Sequence, residues 1–368
     1  WNDQLFSSSR IIDFKKFLEF PITNKSLFLQ NPVESYSLKR PSNLLHYTSG
    51  NSGEPFALFQ AEFDSVYYGD FMAYRFLHNK GLSSKKIANN VRMVHIRMDY
   101  TNTPSRLFIP VSRFLRNTWS ALDDIIKFKG EIIVSYPSIL MELCQFVIAE
   151  NISLRFRYAV TYGEMLNVSL RNFIEKTLAC EVFNRYALEE FGTVGIECSN
   201  HSGFHLNSES FCLELLDDQG LMQETGKLGR IIITDLNNYV MPFIRYDTGD
   251  LGKIIDGVCA CGFASPRFDV LGRVGEFINV NGRKFLHFEI NGIIGKFSPS
   301  ILRFQLVRGK DGVLSFFIIP GEFFSDEIQR DLQNKLRKLF GDDELQVLPI
   351  NTLQRIPRGK SQTIIIER

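Results

Sequence analysis

The chain reads as an α/β protein with a large N-terminal domain and a small α+β C-terminal domain. Three observations lead there. Strand and helix patterns alternate between residues 91 and 186, the spacing of an α/β layer structure. From Ser208 to Asp250 the texture changes to short strands separated by turns, which predicts a small β-rich subdomain. A glycine-rich break at Gly272-Arg273-Val274-Gly275-Glu276 then precedes a short β-rich stretch and one amphipathic helix. The expected boundaries are 1–274 for the large domain of layered sheets and 275–368 for the small one.

Taken in order, Phe63, Val66, Tyr67, Phe71, Tyr74 and Leu77 recur near helical spacing and predict a helix over 63–79. Val91 to Met98 alternates as a strand does. Pro137 and Ser138 open a helix running to about Glu150, with proline at a favoured first-turn position. Arg157 to Tyr162 reads as a strand, Asn167 to Ala179 as a helix and Glu181 to Tyr186 as a strand. Gly229-Arg230-Ile231-Ile232-Ile233-Thr234 is a further strand. Past the break, 325–340 is the amphipathic helix, followed by a polar C-terminal strand.

The bulk numbers narrow the function. With 44% hydrophobic and 23% charged residues, the 368-residue chain has the composition of a soluble globular protein of two or three domains. Its net charge of +1 gives no electrostatic footprint for nucleic acid. No run approaches a membrane span, and the start carries no signal-peptide pattern, although residue 1 is Trp rather than Met. Six cysteines without a secretory signal suit a reducing, cytoplasmic compartment. The 33 phenylalanines suit core packing first and an aromatic-lined pocket second.

Four segments carry candidate chemistry. Thr48-Ser49-Gly50-Asn51-Ser52-Gly53 alternates hydroxyls and glycines, so N–H and O–H groups can converge on one anion. Strand-like Phe56-Ala57-Leu58-Phe59 follows it, which argues against a Walker loop. Read alone, the segment serves equally well as a surface turn. Asn184 to Gly192 ends a strand with Tyr186 and the acids Glu189 and Glu190. An aromatic ring can stack on a base and a carboxylate can hold Mg2+, but a core tyrosine and a solvated turn fit too. Arg245 to Leu251 places Asp250 in a turn, and Arg355-Ile356-Pro357-Arg358-Gly359-Lys360 puts a lysine on a short basic loop. Cys198 and His205 lie seven apart, and the tight Cys259-Ala260-Cys261-Gly262 knuckle follows. Three thiolates and an imidazole make a tetrahedral zinc set. On spacing alone, buried free thiols account for these cysteines as well.

In this order the segments resemble the adenylate-forming superfamily, and within it the phenylacetate-CoA ligase family with its coenzyme F390 synthetase-like and capsule-cluster members. The resemblance runs from about Tyr47 to Lys360. It implies that Thr48 to Gly53 wrap the ATP phosphates and that Gly163 and Glu164 sit beside the adenine. Tyr186 would stack on the adenine, Glu190 bind Mg2+, Asp250 take the ribose hydroxyls and Arg273 contact the ribose–phosphate region. Lys360 would bridge the carboxylate and the α-phosphate. The small domain would be mobile, rotating about Gly272–Gly275 between two half-reactions. Family members can carry a zinc with this Cys–His–Cys–Cys order, which His205 fits better than His201; four protein ligands would make it structural. The chain departs from the usual pattern at Glu54, Ala187, Glu189 and Gly275.

The implied activity is ATP-dependent formation of an acyl-AMP from a carboxylic acid, aryl acids favoured, with transfer to coenzyme A. Tyr136, Tyr162, Ala187 and Phe191 lie on segments that could line the acid's pocket. Two other readings stand beside it. One is an adenylating enzyme that passes the acyl group to a carrier protein, an amine or a sugar; the other is a nucleotide-binding scaffold without turnover.

Overall fold

A computed structural model describes residues 14–30, 44–47, 57–60, 91–97, 100–342, 344–355 and 360–367. The predicted phosphate loop Thr48–Gly53, Glu54 and the 63–79 helix lie outside the described residues.

Short helices α1 (Phe14–Leu18) and α2 (Lys25–Gln30) precede a hairpin of β1 (Leu44–Tyr47) and β2 (Ala57–Gln60). The parallel layer then begins. β3 (Met93–Arg97), β4 (Arg106–Pro110), β5 (Ile132–Ser135), β6 (Tyr158–Tyr162) and β7 (Glu181–Leu188) pair in the order β4-β3-β5-β6-β7. Their connections carry α3 (Val111–Arg116), α4 (Thr118–Phe128), α5 (Pro137–Ala149) and α6 (Val168–Leu178). β5 and β6 are buried along their whole length, as parallel strands covered on both faces must be.

Local chemistry sets the ends of these elements. Pro137 supplies a preset φ and no N–H at the start of α5, where the N–H would have no helical partner. The Asn167 side chain accepts from the Leu170 N–H at 2.8 Å and caps α6. α5 is apolar nearly all round because it packs between the sheet and α6; eight of its residues are buried.

The antiparallel strands continue the same sheet rather than standing apart. β8 (Gly192–Ile196), β9 (Phe204–Leu206), β10 (Phe211–Leu216), β11 (Gly229–Asp235), β12 (Tyr246–Ile255) and β13 (Arg267–Arg273) extend it in the order β7-β8-β9-β13-β12-β11-β10. The sheet therefore has 11 strands, parallel on one side and antiparallel on the other. Phe191, Phe211, Phe243 and Tyr246 pack edge to face within the antiparallel part, at centroid distances of 5.2–5.9 Å.

The small C-terminal unit holds a hairpin, β14 (Phe277–Val280) and β15 (Arg283–Leu286), then α7 (His287–Ile294). A four-stranded sheet follows, made of β16 (Ile301–Arg308), β17 (Leu314–Pro320), β18 (Gln346–Pro349) and β19 (Ile364–Ile366) in the order β18-β17-β16-β19. α8 (Asp326–Phe340) buries Leu332, Leu336 and Phe340, spaced four apart on one face. Each such side chain contributes about 1.5–3 kcal/mol on full burial. Ser325 caps its N-terminus, acids fill the first turn and bases the last, complementing the helix dipole. The last strand is apolar rather than polar as expected: β19 is three isoleucines pairing parallel to central β16, with Ile364 and Ile365 half-buried and Ile366 exposed.

Candidate active site

The carboxyl ends of the parallel strands and the start of the antiparallel part border a cavity of about 1370 Å³, closed on its far side by the C-terminal unit. This is where open α/β sheets bind ligands. Among the sequence-predicted residues, Tyr162, Gly163, Tyr186, Glu190, Asp250, Arg273 and Lys360 all line it.

Asp250 anchors one wall. Its Oδ2 accepts from the Tyr186 hydroxyl at 2.5 Å and its Oδ1 from Arg273 Nε at 2.8 Å. Each carboxylate oxygen keeps a second lone pair for a further donor such as a ribose hydroxyl. Tyr186 is fixed from behind by Phe268 and Phe204, with centroids 5.7 and 6.3 Å away. Burial, and then the Asp250 carboxylate, push its phenol well above the ordinary value, so it stays a neutral donor.

Glu190 accepts from the Tyr246 hydroxyl at 3.1 Å. Burial drives its carboxyl above the usual carboxylate range. A buried acid raised in this way, facing a cavity, fits a cation, which would restore its charged form.

Lys360 enters from the other side. Its ammonium lies 5.3 Å from the Tyr136 ring centroid, and among the described residues no ion pair engages it. Burial lowers its pKa, while Glu189 and Glu164 act in the opposite sense. Gly163 makes room for it. With φ at +74°, a Cβ there would lie 3.2 Å from both Cε and Nζ of Lys360.

Glu164 lines the cavity as well, with both oxygens engaged by Ser138, Arg303 and the Ser361 N–H. Two predicted pocket residues come out differently. Tyr136 is absent from the cavity wall; its ring packs at a tilt against Tyr162, centroids 5.1 Å apart, and lies beside Lys360. Phe191 is fully buried in the antiparallel core, so it lines no pocket. Tyr162 and Ala187 do border the cavity.

A second cluster lies apart from the cavity. One ligand atom from each of Cys198, His205, Cys259 and Cys261 falls within 4.8 Å of all the others. The Cys198 and Cys259 sulfurs are 3.6 Å apart, and Cys261 Sγ is 3.5 Å from His205 Nε2. A tetrahedron with Zn–S bonds of about 2.3 Å has sulfurs roughly 3.8 Å apart, so the set has the size of a zinc site. The Phe263 N–H donates to Cys261 and the Asn200 amide to Cys259, both at 3.4 Å, as second-layer donors to thiolates do. His201 is committed elsewhere: its Nδ1 lies 3.1 Å from Arg171, which pairs with Glu197.

The fold is that of the adenylate-forming CoA ligases. 2-Hydroxyisobutyryl-CoA ligase, in its postadenylation state with an acyl-AMP, superposes with a TM-score of 0.74 at 15% identity, over 100% of this chain and 84% of that one. In sequence the chain is related to phenylacetate-CoA ligases. It is 27% identical over 195 residues to the Thermus thermophilus ligase, covering 51% of this chain and 44% of that protein. With the Pseudomonas putida ligase the identity is 24% over 260 residues, covering 65% and 57%. The chain thus spans about half the length of these two ligases. Protein CapK of Staphylococcus aureus is 19% identical over 355 residues, covering 92% and 77%. No protein-family model matches.

Proposed function

We propose that this protein activates a carboxylic acid, an aryl acid first, as its acyl-AMP at the expense of ATP and then transfers the acyl group to coenzyme A. The observation that carries the reading is the convergence of Lys360, Glu190, Tyr186 and the Asp250–Arg273 pair on one cavity of this fold.

In the first half-reaction an oxygen of the acid attacks the α-phosphorus, the bond to the pyrophosphate breaks, and pyrophosphate leaves. No protein nucleophile is required, so positioning and charge stabilisation are the protein's contribution. Lys360 places its ammonium between the carboxylate and the α-phosphate, where negative charge builds. Burial lowers its pKa, and phosphate oxygens beside the ammonium would raise it and hold the proton. Asp250 and Arg273 orient the ribose, Tyr186 presents its ring to the adenine, and Thr48–Gly53 are assigned to the outer phosphates. Glu190 is the residue that would hold Mg2+, which when bound neutralises phosphate charge. In the second half-reaction the thiol of coenzyme A attacks the acyl carbon and AMP leaves. Rotation of a 275–368 domain against a 1–274 domain about Gly272–Gly275 would admit the thiol.

Cys198, His205, Cys259 and Cys261 would hold a structural zinc, pinning the loop after β12 to β9 and to the segment after β8. All four positions come from protein, which leaves none open for catalysis. A reducing, cytoplasmic setting would keep these thiolates available to the metal; among the described residues no helix is long and apolar enough to cross a membrane.

The second acceptor under this reading is a carrier protein, amine or sugar in place of coenzyme A. Pyrophosphate release from ATP and Mg2+ across a panel of aryl, fatty and amino acids, with and without coenzyme A, tests both. Acyl-CoA among the products supports the first acceptor, and adenylate without thioester the second.

A further inference from the structure

Glu164 is the most heavily engaged buried acid near the cavity, and the chemistry above does not use it. Its side chain is 2% exposed. Oε1 accepts from Ser138 Oγ at 2.9 Å and from the Ser361 N–H at 2.7 Å. Oε2 accepts from the Ser138 N–H at 3.1 Å and from Arg303 Nη1 at 2.5 Å. Ser138 belongs to the first turn of α5, where the helix dipole favours an anion. Arg303 lies on β16 of the C-terminal unit, and Ser361 directly follows Lys360.

The segment carrying Lys360 is gripped at both ends. Arg355, bridged to Ser361, donates from Nη1 to Ser138 Oγ at 2.7 Å and from Nη2 to Glu142 at 2.5 Å. Burial alone would raise the Glu164 carboxyl, yet Arg303 and the Ser361 N–H hold it below the usual carboxylate value. The other cross-contacts are weaker in kind. Asn167 donates to the Leu302 carbonyl, Ser169 bonds Ser298, and the Lys176–Glu322 pair is exposed.

We propose that Glu164 is the positioning residue that docks the C-terminal unit for adenylation, gripping Arg303 and the Ser361 amide so that Lys360 is delivered over Gly163 into the cavity. This rests on the ligase reading above. The bonds from Arg303 and the Ser361 N–H must break before the small domain can rotate, while Ser138 keeps its hold on the carboxylate, so Glu164 also sets how long the lysine stays in place.

Glu164→Gln isolates the effect. Whichever way the amide is turned, its NH2 faces either Arg303 or the Ser361 N–H, both donors only. The measurements are ATP–pyrophosphate exchange with phenylacetate, thioester formation from supplied phenylacetyl-AMP and coenzyme A, and hydrogen exchange at the Ser361 amide. We expect exchange turnover to fall on the order of 100-fold, with the ATP KM within about 2-fold. Thioester formation should stay within roughly 3-fold, and Ser361 should exchange at least about 10-fold faster while the 11-stranded sheet keeps its protection. Arg303→Met should reproduce the pattern, and Lys176→Ala should leave it unchanged. Equal loss in both half-reactions, or an unaltered Ser361 amide, would overturn the proposal. If wild-type protein activates no acid, the ligase reading fails and amide exchange alone decides the docking role.

Discussion

The zinc-sized cluster and the cavity are both assembled from residues far apart in sequence, yet they treat their polar groups in opposite ways. Around Cys198, His205, Cys259 and Cys261 four ligand atoms face one another at tetrahedral spacing, with N–H donors behind two of the sulfurs. Around the cavity, Glu190 is left above its usual pKa and Lys360 below its own, each by burial. The first arrangement would be completed by one ion. The second sets an acid and a lysine, each with its protonation perturbed by burial, on the walls of one cavity, the pattern of a functional site.

That contrast predicts a double dissociation. Lys360→Ala should reduce adenylation by about 10²–10³-fold or more while ATP affinity and Tm hardly change. Cys259→Ser should do the reverse: metal content and Tm fall together, and the fraction that stays folded keeps its ATP affinity. Loss of activity in Cys259→Ser without loss of metal would erase the distinction between the two regions.

Next in size is a test of the docked arrangement. Ser169 and Ser298 meet at 2.8 Å between their hydroxyls, so Ser169→Cys with Ser298→Cys offers a cross-link. Once oxidised, that variant should still form acyl-AMP but lose thioester formation by roughly 10-fold or more, with recovery on reduction. Equal thioester rates in both redox states would show that the small domain need not move.

The smallest effect concerns pH. Glu190 has a raised pKa in the folded chain, so folding binds its proton and the resulting stability fades as pH rises through that value. Glu190→Gln should therefore raise Tm slightly at neutral pH. In the wild type, Mg2+ dependence should weaken as pH falls through the same raised value. A Tm that drops in Glu190→Gln would mean the carboxylate is stabilised by the protein rather than held ready for a cation.

How much of this was legible beforehand depends on how specific each residue's chemistry is. Cysteine and histidine are few here and coordinate metals in known geometry, so the four positions spanning 198 to 261 could be grouped from spacing, with the family resemblance favouring His205 over His201 and zinc over free thiols. Pro137 and Asn167 announced their helices because each has a local, backbone-level effect. The partners of Glu164 were not legible: Arg303 and Ser361 lie 139 and 197 residues away, and an acid carries no mark of which distant donor it will meet. Tyr136 and Phe191 fall on segments that could line a pocket, but in a chain this rich in aromatics position alone does not separate wall from core; one packs behind Lys360 and the other in the core. The continuity of the 11-stranded sheet depends on β9, only three residues long, too short for any periodicity to reveal.

The measurement that bears most directly on the central claim is acid-dependent pyrophosphate release from ATP and Mg2+, run in parallel on wild type and Lys360→Ala with a broad panel of acids. The account predicts release with at least one acid, matched by acyl-AMP or AMP, and its near-complete loss in the variant. Release from neither protein, when the wild type is shown to bind ATP, would contradict it and leave a nucleotide-binding scaffold in its place.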